Sequence, residues 1–190
     1  GRGEPGRSLT IIDLEKGAAR DTIDLGENTR PHGLEALSDG RLLVTAEGTK
    51  ELLVVDPSSR RVALRVPTAS EVSHMVVATP DGSRAFVANI GTGSVTAVDL
   101  AAGKVLKQIP TGAGAEGIDI TPDGREVWVT NREADTVSII DAKGLEVVGT
   151  VKAPAFPIRV KLTPDGKRAL VSCARSGDVA VFDVPSRKEV

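Results

Sequence analysis

The chain has 190 residues and a formal charge of −2, long enough for one domain with a substantial core and without the basic run that marks a nucleic-acid binder. Aromatic residues make up 2% and Tyr is absent, which argues against stacking platforms for single strands and leaves little for sugar rings to pack on. Cys173 is the single cysteine, so no internal disulfide forms, and no apolar run approaches the ~20 residues of a helical membrane span.

In chain order, Gly1-Arg2-Gly3-Glu4-Pro5-Gly6 reads as a flexible lead over 1–7. From there, residues 8–190 repeat one pattern. Residues 8–25 supply two strands, ending on the alternating Asp21-Thr22-Ile23-Asp24-Leu25. Asp-Gly pairs follow at Asp39-Gly40, Asp81-Gly82, Asp123-Gly124 and Asp165-Gly166, each 42 residues after the last. A second ladder keeps step with them at Asp13, Asp56, Asp99, Asp141 and Asp183, each after an apolar pair such as Ile11-Ile12. A fixed period of this size signals a solenoid, propeller or array.

One repeat contains four predicted strands. Gly117-Ile118-Asp119-Ile120 is stopped by Pro122-Asp123-Gly124, a turn in which Pro fixes φ and Gly accepts positive φ. Glu126-Val127-Trp128-Val129-Thr130 is the second strand and Thr136-Val137-Ser138-Ile139-Ile140 the third, both rich in strand-favouring residues. Residues 145–151 form the fourth, after a hairpin tip at Lys143-Gly144. The second and third strands are apolar on both faces and must be covered from both sides. The fourth alternates, as in Arg61-Val62-Ala63-Leu64-Arg65-Val66, and its charges protect an exposed edge. A four-stranded sheet sandwiched between copies of itself, with one protected edge, is a propeller blade. The fold class expected is all-β: a β-propeller of four-stranded antiparallel blades. The strands predict an incomplete arc of about four to five blades, set against usual counts of about 4–8.

Phe86-Val87-Ala88-Asn89 and Trp128-Val129-Thr130-Asn131 resemble the aromatic-Val-Thr-Asn signature of YVTN-type repeats. The chain is therefore similar to the YVTN-type β-propeller family, the YncE-like and surface-layer-type propellers. It departs at Leu43-Val44-Thr45-Ala46 and Leu170-Val171-Ser172-Cys173. The resemblance implies a bacterial or archaeal protein, periplasmic or at the cell surface, usually with seven blades. Further propeller blades or self-association would then cover the terminal sheets. It implies little about chemistry, because this fold hosts binders, scaffolds and enzymes alike.

Residues present in every repeat build architecture, so a unique site must come from the exceptions. Seven residues before each Asp-Gly stand His32, His74, Glu116 and Ile158. Innermost strands line a propeller's channel, so these would meet as neighbours in a ring at one mouth. Two imidazoles and a carboxylate suit zinc or another borderline metal or acid–base work. The plain alternative is a solvated loop that tolerates any polar residue. Along the same strands come Glu35, Val77, Asp119 and Lys161, with Arg159 near the start of the last. They read as a grip on a small anion, or as channel charges solvated by trapped water. The candidate ligand-binding residues are His32, His74, Glu116 and Arg159, with His32, His74 and Glu116 as metal candidates. Cys173, in the place of a signature Asn, reads as structural. No phosphate loop, Ser-His-Asp set or paired carboxylates on one strand is present.

Two functions follow. One is a non-catalytic binding or scaffold propeller that presents its channel mouth and loops to a protein or small ligand. The other is an enzyme or cofactor-bearing propeller, for which the resemblance offers lactonase-type and haem- or copper-binding examples. The sequence names no cofactor.

Overall fold

A computed structural model of the protein describes residues 6–190; of the expected lead over 1–7, residues 1–5 lie outside the described residues. Eighteen strands follow one another and no helix occurs among the described residues. None is therefore long and apolar enough to cross a membrane.

Strands β1 (Ser8–Asp13) and β2 (Ala18–Asp24) form a two-stranded sheet. Four antiparallel four-stranded sheets come next, each in simple sequence order. The first holds β3 (Pro31–Ala36), β4 (Leu42–Ala46), β5 (Glu51–Asp56) and β6 (Arg61–Pro67). The second holds β7 (Ser73–Ala78), β8 (Arg84–Asn89), β9 (Ser94–Asp99) and β10 (Lys104–Pro110). The third is β11 (Ala115–Ile120), β12 (Glu126–Asn131), β13 (Thr136–Asp141) and β14 (Glu146–Lys152). The fourth is β15 (Pro157–Leu162), β16 (Arg168–Cys173), β17 (Asp178–Asp183) and the short β18 (Lys188–Glu189). Leu145, expected to open a fourth strand, belongs instead to the hairpin turn with φ 57°. The equivalent positions Gly17, Arg60, Gly103 and Arg187 share that left-handed conformation.

The core is divided into four pieces, each lying between consecutive sheets. Ile23 of the two-stranded sheet and Leu25 just after it pack with Val44, Leu53 and Val55. Leu43, Leu52 and Val54 meet Val76, Val87 and Val98. Phe86, Val95 and Ala97 meet Ala115, Val127 and Val129. Trp128, Val137 and Ile139 meet Val171, Ala180 and Phe182, with the Trp128 and Phe182 rings 6.4 Å apart. Faces that bury against a copy of themselves, with no helix to cover them, generate the propeller arrangement. The inner strands β3, β7, β11 and β15 are neighbours in that order.

Both repeated Asp ladders are turn devices. Asp81, Asp123 and Asp165 each accept a hydrogen bond from the Thr two residues before, at 2.6, 2.7 and 2.6 Å. The following glycines sit at φ 67°, 72° and 68°, a conformation costly for any residue with a Cβ. In the other ladder, Asp13, Asp56, Asp99, Asp141 and Asp183 all accept backbone N–H groups two or three residues on.

Candidate functional site

Two glycines and two threonines bring the inner strands together at one mouth of the channel. Gly33 lies so close to β7 that a Cβ there would stand 2.5 Å from the His74 carbonyl oxygen. Gly117 meets β15 in the same way, 2.6 Å from the Ile158 carbonyl oxygen. The hydroxyl of Thr45, from the signature strand, accepts the Gly33 N–H at 2.7 Å and donates to the His74 carbonyl at 2.5 Å. Thr130 accepts the Gly117 N–H at 2.8 Å. The residue before each glycine, His32 or Glu116, is thereby held against the next blade.

The imidazoles of His32 and His74 stack with centroids 3.7 Å apart and an interplanar angle of 28°. His74 is buried between two carboxylates. Its Nδ1 lies 2.6 Å from Glu47 Oε1, and its Nε2 lies 3.7 Å from Glu116 Oε1, beyond hydrogen-bonding distance and without another partner. Three arginines close the cluster. Arg30 reaches Glu47 Oε2 at 2.9 Å, Arg132 reaches Glu116 Oε2 at 2.7 Å, and Arg159 reaches Glu116 Oε1 at 2.8 Å. All four expected residues, His32, His74, Glu116 and Arg159, therefore stand in one cluster spanning four blades. His74 and Glu116 are buried, so the expected solvated loop holds only for the exposed His32.

Burial alone would push the Glu116 carboxyl up, but His74, Arg159 and Arg132 outweigh it and bring its pKa down to about 2. His32 is lowered by burial and by the charge of neighbouring His74, which keeps it neutral near neutral pH. The mouth thus combines two carboxylates, three guanidinium groups and two imidazoles.

Glu47, Arg132 and Arg30 were not among the residues expected from sequence. The first two had a readable signal. Each follows a signature strand directly, at a position that carries Glu47, Ile90, Arg132 and Ala174 in successive blades. That position varies as fully as the one holding the histidines. Arg30 had one too: two residues before His32, it holds the position that carries Arg30, Val72, Gly114 and Phe156 in successive blades, all at positive φ.

Deeper in the channel, charges of neighbouring inner strands pair directly. Asp119 accepts Lys161 Nζ at 3.1 Å and the Leu162 N–H at 2.7 Å. Glu35 is pushed up by burial, a shift that Lys161 opposes and Asp119 reinforces. Cys173 is buried, and burial raises its thiol pKa, the reverse of what a nucleophile requires. A groove of about 390 Å³, lined by residues including Thr121, Asp123, Glu126, Asp165 and Val184, lies at the Thr-Pro-Asp-Gly end of the blades. It is the length of an inner strand away from the histidines, and the titratable cluster outweighs it as a candidate because it joins four blades.

The family model described as YNCE-like beta-propeller matches residues 28–190. No curated protein matches the chain. Among many similar solved structures, a chain of the Kuenenia stuttgartiensis hydrazine synthase is 26% identical with a TM-score of 0.78. The match covers 84% of this chain and 47% of that one, so this chain spans about half the length of its structural relative.

Proposed function

This chain belongs to the YNCE-like β-propeller family, and from that premise we propose that it is a non-catalytic binding propeller whose channel mouth takes a small anionic ligand, a carboxylate or phosphate. The observation that carries this reading is the convergence of three arginines on two buried carboxylates. Arg159 spends Nη1 on both Glu116 and the Ile158 carbonyl, and among the described residues its Nε and Nη2 make no hydrogen bond. That unused edge of a half-exposed guanidinium suits the bidentate grip that carboxylates and phosphates accept. Family resemblance supports a periplasmic or cell-surface location.

The test is calorimetric titration of chelator-treated, metal-free protein with inorganic phosphate and with citrate at low salt. Saturable binding, weakened at least tenfold (about 1.4 kcal/mol) by Arg159→Ala, is the expected result. Binding of neither anion, or equal binding by wild type and variant, would overturn it.

The likeness to a hydrazine synthase chain favours a second reading, a propeller that serves as one part of an enzyme. The complete reading frame distinguishes the two: a catalytic or haem-bearing segment alongside these repeats would favour the second.

A further inference from the structure

We propose that His32, Glu47 and His74 form a binding site for one divalent ion of the zinc class, joining the first and second blades. The three side chains each offer a ligand atom, and these atoms lie within 4.8 Å of one another. They come from β3, from the residue just after β4, and from β7. The inference goes beyond anion binding and does not depend on it.

The geometry is close to what such an ion requires. Zinc holds imidazole nitrogen and carboxylate oxygen at ~2.0–2.2 Å in a tetrahedral arrangement, so its donor atoms stand ~3.3–3.5 Å apart. Glu47 Oε1 and His74 Nδ1 are already 2.6 Å apart; the ion takes the place of the proton they share, and the pair opens by under ~1 Å. The His32 ring lies 3.7 Å over His74. It is exposed and makes no hydrogen bond among the described residues, so it can turn to close the remaining distance. Two imidazoles and one carboxylate select zinc, copper or nickel over calcium and magnesium, which prefer all-oxygen sets. Three protein ligands leave a fourth position for water or an incoming group.

The nearby arginines do not prevent this. Arg132 and Arg159 are held by Glu116, beside the other ring nitrogen of His74. Arg30 faces the second oxygen of Glu47 from a largely solvent-exposed position, where its repulsion is screened. Glu116 was the carboxylate expected from sequence to complete the metal trio; its two guanidinium partners make Glu47 the better donor.

The experiment is titration of metal-free protein with zinc alone and with cobalt(II) alone, in a buffer free of phosphate and carboxylates. Bound metal is measured directly and the cobalt complex by its visible absorption. About one equivalent is expected, with affinity reduced at least tenfold in His32→Gln, Glu47→Gln and His74→Ala. His32 is exposed, so His32→Gln should melt as wild type does when metal-free, and loss of binding there cannot be a folding defect. Substoichiometric uptake at micromolar zinc would overturn the assignment, as would full binding that survives His32→Gln or Glu47→Gln. Because no anion is present, failure here leaves the arginine-based reading intact, and success does not establish it.

Discussion

The third and fourth full blades carry the same repeat but have different fates. At the first position of the signature, Leu43, Phe86 and Trp128 are 0% exposed, whereas Leu170 is 39% exposed. On the adjoining strand, Leu52, Val95 and Val137 are 0% exposed, whereas Val179 is 61% exposed. The residue types and strand pairings match in each case, with Trp128 opposite Ile139 and Leu170 opposite Val181. What differs is the next sheet. A blade buries one face on the blade before it and the other on the blade after it, so half of its stabilisation belongs to a neighbour. That is the nearest-neighbour logic of repeat proteins, with the energetics residing in the interface and not in the blade.

The largest test of this comparison is Trp128→Ala against Leu170→Ala. Removing a fully buried aromatic from a packed core should cost ~3–5 kcal/mol. Leu170 is packed on one side only, so its truncation should cost about a third of that or less. Urea titrations of both variants would rank them. Equal losses would mean that position, not neighbour, sets the cost, and the nearest-neighbour account would fail.

Most of this architecture was legible because repetition amplifies weak local signals. A single Thr-Pro-Asp-Gly is an ordinary turn; three of them at equal spacing fix strand order, blade length and the phase of every residue between. Phase also placed His32, His74 and Glu116 side by side, since equal position in consecutive blades means equal height in the channel. Arg159, one residue past that position in its blade, was legible as a charge near the start of the last inner strand. Glu47 and Arg132 went unnoticed although they obey the same rule, because they stand just after the following strand and come to the histidines only through the close approach at Gly33 and Gly117. Arg30 obeys it as well, two residues before the histidine position and in step with Val72, Gly114 and Phe156, but its pairing with Glu47 shows only in the folded chain.

A smaller effect tests the turns, which are alike in buried and exposed blades. Asp81 accepts the Thr79 hydroxyl, the Ser83 N–H and the Ser83 hydroxyl, and these bonds lower its pKa from 3.8 to about 2. A carboxylate depressed on folding contributes stability that is complete above its unfolded pKa and lost as pH falls through the folded one. Wild type should therefore melt above Asp81→Ala at pH 6, and the gap should shrink between about 4 and about 2. A gap that persists unchanged at pH 2 would show that the carboxylate charge contributes nothing to the turn.

The smallest expected effect is the most direct probe of the uncovered face. Val137→Ala, in the third blade, removes two methyl groups from a fully enclosed site, at roughly 0.8 kcal/mol per buried carbon before any cavity cost. Val179→Ala removes the same groups from a site 61% exposed and should change stability by less than ~0.5 kcal/mol. Both variants should be measured at several protein concentrations, with sedimentation alongside. Leu170 and Val179 leave apolar side chains on one uncovered face of the fourth sheet, and self-association is one way to cover it. If copies of the chain pair through that face, Val179→Ala becomes costly only at high concentration, and Val179→Asp yields a monomer where wild type does not. A Val179→Ala cost equal to that of Val137→Ala at every concentration would show the face to be enclosed within a single chain, and the contrast between the two blades would disappear.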